Sequence, residues 1–192
     1  MDCNLTYDKH VTHLTSKCIG SLCQINRVKY LFDRRTLITI INSLVFSKLL
    51  YCSSVWANTT KKNIELLQTA QHFAARIVSE TRKFDHVTPI LKQLPIIKQL
   101  AVRDATMVFK CLNGLAPPYL CQNFKTRSEV HNCNTRNRDR LHIPLCRTAA
   151  GQRTFTFRGE KVWNSLPDEF QSITNLDVFK EKIKQHFSRV FL

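Results

Sequence analysis

Hydrophobic residues recur at helical spacing through most of this 192-residue chain. In the first stretch, apolar side chains lie three or four positions apart, which predicts one face of an amphipathic helix. That face comprises Val11, Leu14, Cys18, Leu22 and Ile25. A turn near residues 27–33 leads to a second predicted helix, from Arg34 to about Leu50. Its apolar residues lie on nearly all sides, which predicts a central position.

A third helix is predicted after Asn58-Thr59-Thr60, because side chains of this kind cap helix N-termini. Its buried stripe comprises Ile64, Leu67, Gln71, Ala74, Ile77 and Val78. A short helix is predicted over residues 86–94 and a longer one over residues 97–112. The longer helix is expected to stop at Asn113-Gly114, since glycine commonly ends helices.

The pattern changes in the second half of the chain. Residues 141–145 predict a short extended piece, and the polar–aromatic alternation of residues 153–158 predicts a strand. Residues 162–167 predict a tight helical turn. The last helix is predicted to open at Thr174, with Asp177 three positions on in an arrangement like a capping box. Its apolar face comprises Leu176, Phe179, Ile183 and Phe187. The fold class is therefore mainly α: a helical bundle over residues 1–122, followed over residues 123–192 by a basic loop region with a small β element and a C-terminal helix.

The chain is strongly basic, with a formal net charge of +15. Residues 1–124 carry sixteen basic and seven acidic residues (+9), residues 125–158 carry eight and two (+6), and residues 159–192 carry five and five. A charge of this size predicts a polyanionic partner, with nucleic acid ahead of a membrane surface. Phosphate contacts of this kind carry no strong sequence preference.

The charge is densest over residues 125–158. The basic residues of this segment, which are the candidate nucleic-acid contacts, are Lys125, Arg127, Arg136, Arg138, Arg140, Arg147, Arg153 and Arg158. A solvated loop is the alternative interpretation of such a charge run. The neighbouring Phe155, Phe157 and Trp163 fit either base stacking or core packing, and we favour core packing for them.

The sequence offers no recognisable catalytic site. Its four glycines are isolated, which excludes Walker and dinucleotide-binding loops. The one adjacent acidic pair, Asp168-Glu169, follows Pro167 at the start of a helical turn, where acids favour the helix dipole. We therefore expect a non-enzymatic chain with no cofactor and no small-molecule substrate.

One group of residues has metal-binding chemistry. His131, Cys133, His142 and Cys146 are four possible zinc ligands within sixteen residues, although their spacing matches no strong ligand pattern. Incidental loop residues are the favoured alternative, so no metal is predicted. The eight cysteines include no C-x2-C pair, and we expect mostly free thiols.

Neither a membrane span nor a leader is predicted. No apolar run approaches the roughly 18 residues that a spanning helix needs. The first residues lack the basic and apolar parts of a signal peptide. We therefore expect a soluble intracellular protein, nuclear or cytoplasmic, without a membrane partner.

Motifs spread along the chain resemble the C-terminal part of the reverse transcriptase polyprotein of jockey-like non-LTR retrotransposons. Tyr51 and Trp56 match its "l-Y-x-s-x-v-W" segment, and residues 67–77 are similar to its "l-Q-x-x-Q-n-x-A-x-R-x" helix. Residues 109–120 resemble its "F-K-x-l-x-G-x-A-P-x-Y-L". Further similar stretches are residues 2–10, 88–91, 135–137, 151–155 and 162–167. Their common order along nearly the whole chain carries the resemblance.

The resemblance implies a non-catalytic remnant of an RNA-directed DNA polymerase. Residues 8 to about 80 would correspond to the helical thumb that grips the template–primer duplex, and the rest to a C-terminal extension. The family's catalytic palm, with its Asp-Asp turn, lies upstream of the matched region, and this sequence contains no Asp-Asp. Trp56 and Trp163 would be core anchors. The implied partners are RNA or DNA, and also the missing palm or a second copy of the chain.

Two other functions stay open at this point. The chain is alternatively a protein-interaction module whose apolar surface, once covered by the palm, docks another protein. It is also alternatively a translated fragment with no selected role.

Overall fold

The computed structural model describes residues 4–81, 85, 96–131 and 136–190, and its fold is mainly helical, as predicted. The chain forms two compact units, the first comprising Thr6–Ile97 with Met1–Asp2 and the second Lys98–Leu192 with Cys3–Leu5. The division near residue 97 differs from the boundary after residue 122 that we expected from composition. The helix ending at Leu112 lies before the change in charge, yet its apolar side chains belong to the core of the second unit.

The first unit is built from helices joined by short connections. Among the described residues, its elements are α1 (Asp8–Val28), a 3-10 turn (Lys29–Leu31), α2 (Arg34–Ile41), a π-helical turn (Asn42–Phe46), α3 (Ser47–Leu50), α4 (Ser53–Trp56) and α5 (Lys61–Ser79). The segment from α2 to α3 is continuous, and the π turn within it adds one residue to the helical repeat. This extra residue agrees with the burial of both Val45 and Phe46.

The core of the first unit lies where α1 packs against α5 and against the α2–α3 segment. The predicted face of α1 is confirmed, with Cys18 and Leu22 fully buried. The expectation that the second helix is central on nearly all sides is wrong, because Leu44 is exposed and Ile38 is only partly buried. In the described part of the unit, this segment contacts α1 and α5, which cover only part of its surface.

A polar network ties the start of α5 to the entry of α1. The Thr60 hydroxyl accepts a hydrogen bond from the Asn63 backbone N–H (3.4 Å), so Thr60 is the predicted N-cap. The buried Asn63 amide then donates to the Asp8 carboxylate (2.7 Å) and to the Thr6 carbonyl (3.1 Å). A buried polar side chain is thus satisfied by residues more than fifty positions away.

The second unit also consists of helices, several of them short. They are α6 (Ile96–Leu112), α7 (Pro118–Cys121), α8 (Arg127–Val130), α9 (Ala149–Gln152), α10 (Phe155–Asn164), α11 (Asp168–Gln171) and α12 (Leu176–Val190). α6 ends as predicted: Gly114 has φ +69°, and the Leu115 N–H donates back to the Lys110 carbonyl (2.8 Å). This is the Schellman arrangement, in which a left-handed residue satisfies the last carbonyls of a helix.

Aromatic rings form the centre of the second core. The Phe109 and Phe179 rings stack with centroids 4.4 Å apart, and Trp163 lies 5.8 Å from Phe179. These rings come from α6, α12 and α10, so the core joins residues far apart in the sequence. Trp163 is 5% exposed and Trp56 3% exposed, which confirms both as core residues.

The strand predicted over residues 153–158 is wrong. Thr154 instead caps a helix, since its hydroxyl accepts from the Phe157 N–H (3.4 Å) and α10 follows at once. Phe155, Gly159 and Trp163 are four positions apart, and the helix turns all three toward the core, where Phe155 packs edge-on against Phe124 (5.8 Å). The tight helical turn predicted over residues 162–167 corresponds to the last residues of this helix and to the turn that follows Asn164.

Two further expectations need correction or fall outside the described residues. The cap of α12 is Asn175 and not Thr174, because the Asn175 side-chain oxygen accepts from the N–H groups of Asp177 (2.9 Å) and Val178 (3.3 Å). The short helix predicted over residues 86–94 lies outside the described residues. Within the described part of the chain, β structure is limited to one antiparallel bridge, between Thr126 and Leu141. No helix described there is long and apolar enough to cross a membrane.

Candidate nucleic-acid interface

Two short backbone segments pair to form the base of the candidate interface. The N–H groups of Arg127 and Ser128 donate to the carbonyls of Arg140 (2.9 Å) and Arg138 (3.0 Å). On the other side of the bridge, the His142 N–H donates to the Lys125 carbonyl (2.8 Å). We call this arrangement, residues 125–128 with residues 137–142, the paired basic segments.

Side chains hold the paired basic segments on the second core. Thr126 and Glu129 form a capping box at the start of α8, in which the Thr126 N–H donates to the Glu129 carboxylate (2.8 Å). The Asn164 side chain makes two hydrogen bonds to the backbone of Leu141. Its amide nitrogen donates to the Leu141 carbonyl (2.9 Å), and its amide oxygen accepts from the Leu141 N–H (3.0 Å). Because Leu141 is buried and Asn164 ends α10, the pairing is anchored to the helical core.

The pairing brings four of the predicted basic residues onto neighbouring backbone positions. Lys125 and Arg138 are exposed, and Arg127 and Arg140 are partly buried. Arg136 is also exposed and lies in the turn that leads into the second segment. Guanidinium and ammonium groups placed this way offer several hydrogen-bond donors to an anion such as phosphate.

Both acidic residues of this region have partners. Glu129 is the acceptor in the capping box, and the Asp139 carboxylate lies 3.4 Å from the Arg138 guanidinium nitrogen. The Arg138–Asp139 pair is exposed to solvent, and pairs of that kind contribute little free energy, so a phosphate can compete for Arg138.

The remaining predicted contacts lie apart from the paired basic segments along the chain. Arg147 is exposed in the extended stretch that follows Leu141. Arg153 follows α9 and donates from its guanidinium to the Asn4 carbonyl (2.9 Å).

Arg158 has a structural environment that the sequence did not indicate. Its guanidinium makes two contacts with the buried Asp104 carboxylate, at 2.8 and 2.9 Å, and its side chain is only 15% exposed. A two-point ion pair between α10 and α6 holds this arginine inside the second unit. We therefore leave Arg158 out of the proposed interface.

The possible zinc ligands are only partly brought together. The His131 and His142 rings lie 5.3 Å apart in an edge-to-face arrangement. Cys133 lies outside the described residues, and Cys146 is a partly buried free thiol. Among the residues that the structure describes, no three potential ligands form a group.

None of the pKa shifts found for the thiols creates an activated nucleophile. Burial, followed by the neighbouring Cys121, raises the pKa of Cys111 to about 11, and burial also raises the pKa of Cys18. A raised pKa keeps a thiol protonated and inert. The six cysteines in the described ranges, Cys18, Cys23, Cys52, Cys111, Cys121 and Cys146, are free, as expected.

A second basic surface is only partly indicated by the sequence. Its Lys and Arg residues belong to the first two predicted helices, which we expect to assist nucleic-acid contacts, and residues 27–33 are predicted to form a turn. The structure exposes Tyr30, Leu31 and Phe32 in that turn, beside Arg27, Arg34 and Arg35. The available signal was a run of three apolar residues inside a predicted turn, where polar residues are usual.

Comparison with known proteins finds no matching protein-family model, no matching curated protein and no matching solved structure.

Proposed function

We propose that the chain binds RNA or DNA through phosphate contacts, without strong sequence preference. The observation that carries the proposal is the pairing of two basic segments, which places Lys125, Arg127, Arg138 and Arg140 on neighbouring backbone positions. The net charge of +15 supports it, since long-range attraction to a polyanion increases with net positive charge.

The secondary structure of the paired basic segments favours contacts to the phosphate backbone of a nucleic acid over sequence-specific contacts to its bases. Sequence-specific DNA binding commonly inserts a helix into the major groove. In the described part of residues 125–152, the helices are α8 and α9, of four residues each. Helices of four residues present their basic side chains on a turn, where these side chains can neutralise phosphates.

We further propose that the chain derives from a jockey-like retrotransposon reverse transcriptase and is not itself an enzyme. The ordered motifs support this origin, and the helical character of residues 8–79 agrees with a thumb. A reading frame for a palm with Asp-Asp in the DNA directly upstream would make polymerase the activity of a longer product.

A salt titration of nucleic-acid affinity tests the binding proposal. We compare Arg136→Ala/Arg138→Ala with Lys182→Ala/Lys184→Ala, since both variants remove two positive charges at exposed positions. We expect the arginine variant to bind more weakly, and its log–log salt slope to shrink by about 0.9 for each phosphate that the protein no longer neutralises. The lysine variant keeps a slope close to that of the wild type. Equal slopes for the two variants would contradict the proposal.

A protein-interaction module is the second candidate, because apolar side chains are exposed around the end of α6. Leu115 is 57% and Tyr119 68% exposed, on either side of the two prolines of this connection. Sedimentation of the purified chain discriminates between the candidates. Self-association that disappears in Leu115→Ser/Tyr119→Ser, with nucleic-acid affinity absent from the wild type, would favour the interaction module.

A further inference from the structure

The corner between α1 and α2 exposes aromatic and basic side chains together. Tyr30 is 77% and Leu31 64% exposed on the 3-10 turn, and Phe32 follows them at 39%. The neighbouring basic residues are Arg27, Lys29, Arg34 and Arg35, and Lys29 is the one that is partly buried. We call residues 27–35 the basic–aromatic corner.

Exposed aromatic rings at this corner are not needed for the turn itself. A helix–helix connection is satisfied by polar residues, and grouped exposed apolar side chains commonly mark a binding surface. The corner contributes no fully buried side chain to the first core, since the buried residues of α1 end at Ile25 and those of α2 begin at Leu37.

The charge of the corner favours an anionic partner. Its four basic residues face one acid, Asp33, which gives a net charge of +3. The Asp33 carboxylate is occupied at the N-terminus of α2, where it accepts from the N–H groups of Arg35 (3.0 Å) and Thr36 (3.4 Å). The hydrogen bond from the Thr36 hydroxyl holds the pKa of Asp33 below its usual value, so Asp33 stays ionised in this capping role.

Arg34 and Arg35 lie in the first turn of α2, next to the Asp33 carboxylate that accepts from its N–H groups. Because Asp33 already compensates this end of the helix dipole, a phosphate bound here is attracted by the guanidinium groups of Arg34 and Arg35.

We infer that the basic–aromatic corner binds an unpaired nucleotide of a single-stranded nucleic acid. Tyr30 stacks on the base, and Arg27, Arg34 and Arg35 hold the flanking phosphates. This inference rests on the proposed nucleic-acid binding but adds a second surface, on the other unit, and a different ligand. A base inside a duplex is already stacked on both faces, so only an unpaired base offers a face to Tyr30.

The test compares an oligothymidine of about 12 nucleotides with an abasic strand of the same phosphate count, by fluorescence anisotropy at low salt. The abasic strand offers the same charge without bases to stack on. We expect wild type to prefer the thymidine strand, and Tyr30→Ala to lose about tenfold in affinity for it while binding the abasic strand as before. Tyr30→Phe retains the ring and keeps the preference.

Tyr51→Ala is the matched control, because Tyr51 is 74% exposed in the same unit, and Lys48 is the only basic residue within six positions of it in the sequence. We expect it to leave both affinities unchanged. Thermal unfolding of each variant checks folding, since removal of a side chain as exposed as that of Tyr30 has little effect on stability.

The results that would contradict the stacking site differ from those that would contradict nucleic-acid binding. Equal wild-type affinity for the two strands, or a preference that survives Tyr30→Ala, would overturn the stacking site and leave phosphate binding intact. Absence of wild-type binding to either strand would overturn the proposed function as well. A change of oligomeric state in Tyr30→Ala with unchanged affinities would show that the corner docks protein.

Discussion

Glu160 is an acidic side chain placed almost entirely out of water. It is 2% exposed, and its Oε2 atom has no hydrogen-bond partner among the described residues. Burial raises the pKa of Glu160 to about 7, because the charged form loses its hydration. The side chain is therefore protonated in the folded protein at mildly acidic pH.

The free energy of unfolding is expected to fall as pH rises from about 4.5 to about 7. Over this interval the folded state holds a proton on Glu160 that the unfolded chain has released, so higher pH favours unfolding. The loss is on the order of 2–3 kcal/mol, because each unit of pKa difference between the folded and unfolded states corresponds to about 1.4 kcal/mol. Urea denaturation at pH 5 and pH 8 measures it. Glu160→Gln should remove this dependence, whereas the exposed Glu169→Gln should retain it; identical pH profiles in the two variants would contradict the assignment.

The ion pair between Asp104 and Arg158 is expected to behave as a buried pair. Asp104→Ala leaves the Arg158 charge without its 2.8 Å partner and should cost about 3–5 kcal/mol in the free energy of unfolding. Asp104→Leu/Arg158→Met should recover most of that loss, because no charge remains buried. The exposed pair of Asp177 and Lys180 is the control, and Asp177→Ala should cost less than about 1 kcal/mol. Chemical denaturation of the three variants measures these changes. Equal losses of unfolding free energy in Asp104→Ala and Asp177→Ala would contradict the difference between the buried and the exposed pair.

At the scale of the helix, the start of α12 depends on one side chain. Asn175→Ala should lower the free energy of unfolding by about 1 kcal/mol, because two backbone N–H groups lose their acceptor. Thr174→Ala, at the preceding exposed position, should change it by a few tenths at most. Thermal or urea denaturation of the pair of variants is sufficient, and a larger loss from Thr174→Ala would restore Thr174 as the cap.

Glycine positions in two helices are expected to respond in opposite directions to alanine. A Cβ at Gly159 in α10 would lie 2.8 Å from the Val108 side chain and 3.3 Å from Phe124, so Gly159→Ala should destabilise by about 1–3 kcal/mol. A Cβ at Gly20 in α1 meets nothing within 4 Å, so Gly20→Ala should stabilise by up to about 1 kcal/mol. The two melting temperatures therefore shift in opposite senses; a rise for Gly159→Ala would show that α10 and α6 are not closely packed.

At the scale of the whole molecule, the chain has two hydrophobic cores with different residues. Phe179→Ala removes a ring from the centre of the second core. We expect faster amide hydrogen exchange in α6, α10 and α12 and unchanged exchange in α1 and α5, because local stability follows the core to which a helix contributes. Leu22→Ala, at a fully buried position of the first core, should give the reverse pattern. Hydrogen exchange measured by mass spectrometry of peptic peptides distinguishes two separately stable cores from a single cooperative unit, in which exchange would become faster in every helix.

The helices with one continuous apolar stripe could be predicted from the sequence. In α1, α5 and α12, most residues of the predicted stripe become buried, and Leu14, Ile64 and Leu176 are partly buried. The predicted stripe of α6 is confirmed at Ala105 and Val108, whereas Leu112 at its end is 38% exposed. Stops such as Gly114 were equally predictable, since the left-handed conformation that ends α6 favours glycine. Local periodicity and local hydrogen bonding are sufficient for these features.

Features that depend on distant partners could not be predicted in this way. The alternation of residues 153–158 fits a strand as a local pattern, but in the folded chain Phe155 meets Phe124 and Arg158 meets Asp104, and only a helix serves both contacts. The division of the chain near residue 97 has the same origin. The apolar face of α6 has no local preference for either unit until Phe179 and Trp163 pack against it.

Part of the candidate interface could be predicted from the sequence, and part of it depends on the tertiary structure. Composition locates the densest positive charge over residues 125–158, because a count of ionisable residues needs no coordinates. Which arginines stay accessible to an anion depends on packing: Arg136 and Arg138 remain exposed, whereas Arg158 is enclosed with Asp104. The sequence thus establishes the amount of charge and its place along the chain. The partner of Arg158 is established only when folding brings this residue within hydrogen-bonding distance of Asp104, more than fifty positions away.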